Sequence, residues 1–224
     1  VTTLALEGGL RLKAFEIDHG FARLLGRLFG DNPSFSLAEG DFVDTWKAAL
    51  ESAPAPERIF GNLPYNAASA IIASLIEGGL VPPRMVFTVQ KEAALRMAAR
   101  AGTKDYSAFT VLLSSACKVR IAFDIGSSSF WPAPNVTSSV VVLEPRPDPI
   151  LPDDRAGFSA FVRAAFSSRR KTLRNNLRAA GYEAGDGLSE ALDALRAVRD
   201  VRAEALSPVE LAAVYAALGG ESAS

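Results

Sequence analysis

The chain has 224 residues, enough for one large domain or for one domain with a small appendage. Apolar residues make up 49%, which excludes a globally disordered chain, and a net charge of −1 excludes a uniformly basic nucleic-acid binder. Any nucleic-acid contact must therefore come from a local basic face. No apolar run reaches the roughly 18 residues of a membrane span, and no basic-then-apolar leader suggests export, so a cytoplasmic protein without membrane association is expected. The single cysteine, Cys117, excludes an internal disulfide and a cysteine zinc cluster. It lies in an apolar stretch and reads as packing.

In chain order, the first 145 residues alternate between strand-like and helix-like segments. Strands are predicted at 11–17, 34–38, 58–61 and 85–90, with two closing strands at 119–125 and 138–143. Helices are predicted at 20–29, 45–51, 67–77, 91–100 and 107–117. In the third helix Ala70, Ile71, Ser74, Leu75 and Gly78 recur at helical spacing. The alternation predicts an α/β fold, a mostly parallel sheet covered by helices on both faces. Ligand sites in such sheets lie in the loops beyond the carboxyl ends of the strands. The proline-rich run from Glu144 to Pro152 reads as a linker. Beyond it only helices are expected, at 154–166, 170–180, 188–195 and 208–218. Ser207, Pro208 and Glu210 form a helix start, with a capping serine, proline at the first position and glutamate at the third. The predicted organisation is a catalytic α/β domain over 1–147 and a small all-helical domain over 148–224.

Two acids stand at strand ends. Glu16 closes the first strand and Asp41 follows the second, in Gly40-Asp41-Phe42. Each could be a solvated turn acid; together they fit acceptors for ribose hydroxyls and for an adenine edge. Asn62-Leu63-Pro64-Tyr65 again follows a strand directly. An exocyclic adenine amine is a poor nucleophile because its lone pair is delocalised into the ring. A site for its alkylation must accept hydrogen bonds from it, and the Asn62 side-chain carbonyl and the Leu63 backbone carbonyl are suitable acceptors. Pro64 stiffens the loop and offers no competing amide proton. Tyr65 can stack on an extruded base. An ordinary strand-to-helix turn capped by Asn62 is the alternative. This chemistry needs no metal, and no metal cluster or Ser-His-Asp arrangement can be built from these residues. His19, the sole histidine, reads as a helix-start residue without a catalytic role.

From Arg155 to Tyr182 there are seven basic residues and no acidic one. Among them Arg170, Arg174 and Arg178 are spaced to share a helix face, with Arg169 and Lys171 beside them. Such a face either tracks phosphates or is simply solvated. Gln90, Lys91 and Glu92 either border the cleft or open a helix.

At this point the chain resembles the rRNA adenine dimethyltransferases along its whole length. The resemblance rests on Phe15-Glu16-Ile17-Asp18, Gly40-Asp41-Phe42, Asn62-Leu63-Pro64-Tyr65 and Thr88-Val89-Gln90-Lys91-Glu92. It continues through Phe130-Trp131-Pro132-Ala133-Pro134-Asn135-Val136-Thr137-Ser138 and Phe166-Ser167-Ser168-Arg169-Arg170-Lys171-Thr172-Leu173. It implies a Rossmann-like methyltransferase fold with S-adenosylmethionine as methyl donor and no metal. It also implies dimethylation of two adjacent adenosines in small-subunit rRNA, coupled to ribosome biogenesis. The implied partners are that rRNA and the pre-30S particle, met by a monomer, with 148–224 as an RNA-binding domain. Glu16 is assigned to the cofactor ribose, Asp41 to its adenine with Phe42 alongside, and Asn62 to the space between cofactor and target. Phe130 becomes the second wall of the base slot facing Tyr65, although a core aromatic before a turn would look the same. Such enzymes carry a Gly-x-Gly loop about 20 residues before the ribose acid. Here that place lies before Val1, so the first strand, that loop and the N-terminal arm are expected to be missing from the sequence. The alternatives are a large-subunit rRNA adenine methyltransferase of the macrolide-resistance type and a non-catalytic assembly or RNA-binding factor.

Overall fold

The structure is a computed structural model that describes residues 1–131 and 135–219. The chain forms two compact units, 1–55 and 56–224.

In the first unit, α1 (Thr2–Glu7) precedes β1 (Leu12–Glu16), α2 (His19–Phe29), β2 (Phe35–Glu39) and α3 (Phe42–Leu50). β1 and β2 pair in parallel, from Leu12 opposite Phe35 to Glu16 opposite Glu39. The register brings both carboxyl ends level, which is where the two candidate cofactor acids lie. Asp18 caps α2 by accepting from the amides of Gly20 and Phe21, and Asp41 caps α3 by accepting from Val43. Gly40 has φ +127°, a conformation costly for any residue with a Cβ, and this lets β2 turn sharply into α3. Trp46 is buried and stacks on Phe42, whose ring meets Phe15 edge-on at 4.9 Å. α1 was not expected. It is short, and no side chain caps its start, so it carries none of the usual start signals.

The second unit holds a four-stranded sheet in the order β3 (Arg58–Asn62), β4 (Arg84–Gln90), β6 (Ser138–Pro145), β5 (Cys117–Ile125). β3 and β4 are parallel, whereas β6 runs antiparallel to both β4 and β5. The sheets are therefore more mixed than the alternation suggested. The reason is local: only the 12 residues 126–137 join β5 to β6, short for the helical crossover a parallel pair needs. β4 buries Met85, Phe87 and Val89 on one face, and β6 is buried from Ser138 to Leu143.

α4 (Ala68–Glu77), α5 (Lys91–Met97) and α6 (Ala108–Ala116) fill the connections. α4 buries Ala68, Ile71, Ile72, Leu75 and Ile76, whereas Ala70 and Gly78 are exposed. The buried face is thus rotated from the expected one, because a strongly apolar helix leaves periodicity little polar contrast to read. α6 passes straight into β5 at Cys117, which is extended and buried.

After the proline-rich stretch come α7 (Arg155–Ala165), α8 (Leu173–Ala179), α9 (Asp186–Ala194) and α10 (Pro208–Ala217). Their common core, built on Phe158, Phe161, Leu177, Leu192 and Leu211, also takes in Tyr106 and Val111. Glu77 of α4 accepts from Ser159 at 2.5 Å and from Arg163 at 3.0 Å. The Ser207–Glu210 capping box forms as expected.

Candidate functional site

In the first unit, Glu16 ends β1 half-buried, and its Oε1 accepts from the Asp18 amide at 2.9 Å. Its other oxygen takes no hydrogen bond from the described residues. The Glu16 backbone carbonyl accepts from Gly40 N at 2.9 Å, which ties the two strand ends together. Asp41 is exposed and uses Oδ1 for Val43 N at 2.8 Å, which leaves Oδ2 available. Phe42, half-buried, holds its ring against Phe15. Two carboxylates, each with one committed and one available oxygen, suit a ligand that offers hydroxyl and amine donors. His19 opens α2 and pairs through Nδ1 with Glu39, the residue opposite Glu16. The Glu39 carboxylate, by hydrogen bond and then by charge, raises the His19 pKa above its ordinary value.

In the second unit, Asn62 is the last residue of β3, paired with Thr88 of β4, and Leu63 N donates to Thr88 O at 3.1 Å. That bond fixes the chain at the point where it leaves the sheet. The exposed Asn62 side-chain amide and the Leu63 carbonyl take no hydrogen bond from the described residues. Asn62 does not cap α4, whose start at Ala67 has no side-chain cap. The Pro64 carbonyl accepts from Ala67 and Ala68 and so closes the turn that carries Tyr65. The half-buried Tyr65 ring is tethered by its hydroxyl to Ser138 Oγ at 2.8 Å. Phe130 follows a 3-10 turn at Ser127–Ser129 and is half-buried in extended backbone. The Tyr65 and Phe130 rings make no contact with each other, and residues 132–134 of the same motif lie outside the described residues.

The sequence left Lys91 open and passed over Asp124, Ser138 and Ser139. Lys91 Nζ meets Asp124 Oδ2 at 2.6 Å, and Ser139 Oγ donates to Asp124 Oδ1 at 2.7 Å. The Lys91 hydrogen bond, followed by that of Ser139, holds the Asp124 carboxyl below its ordinary pKa. Strand register alone could have signalled part of this, since Asp124 and Ser139 are direct cross-strand partners.

The basic segment divides in two. Arg170 and Lys171 lie in the turn before α8, which Thr172 caps, so the expected continuous face of Arg170, Arg174 and Arg178 does not form. The threonine cap sets the start of the helix later than charge spacing suggested. Arg174 binds Ala184 O at 2.6 Å and Ser189 Oγ at 2.8 Å. Arg169 pairs with Glu204 at 2.8 Å and also binds the Lys104 carbonyl. Arg170, Lys171 and Arg178 are exposed and have no partner among the described residues.

Residues 10–210 match the family model described as ribosomal RNA adenine dimethylase. The chain is 43% identical to a "Ribosomal RNA small subunit methyltransferase A" of Treponema denticola, over 92% of this chain and 72% of that relative. It is 41% identical to the protein of the same name from Rubrobacter xylanophilus, over 95% and 78% of the two lengths. It spans 61% of a third, from Borreliella burgdorferi, again at 41% identity. Among solved structures it resembles a dimethyladenosine transferase from Plasmodium falciparum, with a TM-score of 0.68 and 22% identity, covering 97% of this chain and 95% of that one. It also resembles the 23S rRNA methyltransferase ErmE, with a TM-score of 0.58 and 19% identity over 97% and 96% of the two chains. At these identities the structural likeness speaks for the fold, and it agrees with the expected Rossmann-like α/β methyltransferase architecture. The extent of the family match and the identity to its curated relatives settle the family: the chain belongs to the ribosomal RNA adenine dimethylases.

Proposed function

We propose that this protein is an rRNA adenine dimethyltransferase that modifies the exocyclic amines of two adjacent adenosines in small-subunit rRNA during ribosome biogenesis. The observation that carries this reading is Asn62-Leu63-Pro64-Tyr65 at the carboxyl end of β3, with the Asn62 side chain and the Leu63 carbonyl uncommitted among the described residues. Asn62 Oδ1 and the Leu63 carbonyl accept hydrogen bonds from the adenine amine. This favours a pyramidal nitrogen whose lone pair is directed away from them. Tyr65 stacks on the extruded base with Phe130 as the opposite wall, and Pro64 keeps the loop stiff. S-adenosylmethionine supplies a methyl group on a sulfonium, an electrophile that needs no metal. When that donor is bound, Glu16 would hold its ribose and Asp41 its adenine, with Phe42 alongside. Holding the amine in line with that methyl provides most of the rate. The methyl–sulfur bond would give way to the new carbon–nitrogen bond, with a neutral thioether as leaving group, and the amine proton would pass to solvent.

Arg170, Lys171 and Arg178, exposed and without a partner among the described residues, suit contact with rRNA phosphates, whereas Arg169 and Arg174 act mainly in holding the helical segment together. The same reading takes residues 148–224 as an RNA-binding helical domain, the pre-30S particle as the partner, a monomer as the working form and the cytoplasm as the location. No helix among the described residues is long and apolar enough to cross a membrane.

The test is transfer of labelled methyl groups to both ribosomal RNAs. Label on small-subunit adenosines, reduced at least 100-fold by Asn62→Ala, is expected. Label on large-subunit RNA alone would favour the macrolide-resistance type of enzyme. Failure of the restored full-length protein to bind S-adenosylmethionine by calorimetry would favour a non-catalytic assembly factor.

A further inference from the structure

Tyr65 sits in a turn rather than a helix, so its backbone alone does not fix the direction of its ring. Its hydroxyl reaches Ser138, a residue distant in sequence and fully buried, at 2.8 Å. For stacking alone a phenylalanine would serve, and the phenol adds only this tether. Ser138 opens β6 and lies opposite Gln90 at the end of β4 and Ile125 at the end of β5. It therefore sits where three strands meet at the edge that carries both aromatic walls.

That edge is knitted together. Successive residues of a strand face opposite sides, so Ser139 points away from Tyr65 and donates to Asp124 at 2.7 Å. Lys91 grips the second Asp124 oxygen at 2.6 Å, while its own amide donates to the Thr137 carbonyl at 3.0 Å. Lys91 thus spans from the end of β4 to the end of β5 and to the residue just before Ser138. The segment leaving β5 after Ile125 carries Phe130.

We propose that Ser138 is a positioning residue for methyl transfer, which orients the Tyr65 ring through its hydroxyl while the Lys91–Asp124–Ser139 brace holds the β6 end in place. This rests on the reading of Tyr65 as the stacking wall for the target adenine. The acting group on the substrate is Tyr65, and Ser138 works through it.

The test is a double-mutant cycle on the full chain with Tyr65→Phe, Ser138→Ala and the pair, reading kcat and KM for methyl transfer to small-subunit rRNA beside thermal stability. Each single change is expected to lower kcat about 10-fold, since small misplacements at a reacting centre are costly. KM for S-adenosylmethionine should stay unchanged, and the double variant should be no worse than either single one. Asp124→Ala should lower kcat by a smaller factor. If Ser138→Ala does not fold, Tyr65→Phe removes the same bond from its half-buried end and decides alone. A kcat within 2-fold of wild type for Tyr65→Phe, or losses that multiply in the double variant, would overturn the proposal. Asn62→Ala, assayed in parallel, separates the two readings. If it stays fully active the base site itself is misassigned; if it is inactive while Tyr65→Phe is normal, only the role of Ser138 falls.

Discussion

At the scale of single residues, exposure and commitment decide what a substitution touches. Asn62 is exposed and makes no side-chain bond among the described residues, so its replacement should leave folding nearly untouched. Surface changes of this kind stay within about 0.5 kcal/mol, which for a chain of this size is a Tm change of about 1–2 °C. The expected outcome for Asn62→Ala is therefore lost methyl transfer with an unmoved melting curve, read by labelled-methyl assay and thermal scan. Cys117 is the opposite case. It is buried, and burial pushes its thiol up to about 12, so at pH 8 it stays protonated and unreactive. Iodoacetamide at pH 8 should leave the folded protein unmodified and label it rapidly in urea, followed by mass spectrometry. Fast labelling of the native protein would contradict the packing of β5 against its neighbours.

Between elements, two ties can be tested. His19 links the start of α2 to the end of β2 through Glu39, whose hydrogen bond and charge raise the histidine pKa, with Asp18 adding a smaller push. A raised histidine pKa stabilises the fold fully below 6.5, and that contribution is lost as pH rises through the raised value. The pair is solvent-exposed, so the effect is small. Thermal scans should show His19→Ala melting below wild type at pH 6 and alongside it at pH 9. The second tie is Arg174, which joins α8 to the start of α9 through Ala184 and Ser189. Arg174→Ala should lower Tm, because the part-buried Ala184 carbonyl and Ser189 hydroxyl lose a charged donor. Arg178→Ala, one helical turn on and exposed, should leave Tm alone and weaken RNA binding. Equal melting of the two variants would remove the distinction between the structural and the RNA-facing arginines.

For the whole molecule, a net charge of −1 means that RNA affinity must come from where the cations stand rather than from their number. Replacing Arg170, Lys171 and Arg178 together by alanine should flatten the dependence of log affinity on log salt by about 2–3 units, since each phosphate contact contributes about 0.7–0.9. Filter binding across a salt series checks this, and an unchanged slope would place the RNA face elsewhere. Most of the architecture was legible in the sequence. Strand and helix periods and the Ser207–Glu210 box are local signals, and the acids and Asn62 were visible because strand ends are visible. The α1 helix was not legible, because it has no cap. The buried face of α4 was misjudged because that helix is apolar nearly all round. The arginine face was drawn too long, since charge spacing does not reveal where Thr172 starts the helix. The sequence by itself determined the order of elements from β1 onward, the family and where the candidate acceptor residues stand, because these depend on neighbours in the chain. Only the tertiary structure decided that β6 runs antiparallel, that Arg174 is tied inward, that Ser138 reaches Tyr65, and that Lys91 and Ser139 meet at Asp124. Those contacts join residues far apart in sequence, and their pairing is set by strand register and packing rather than by any local pattern.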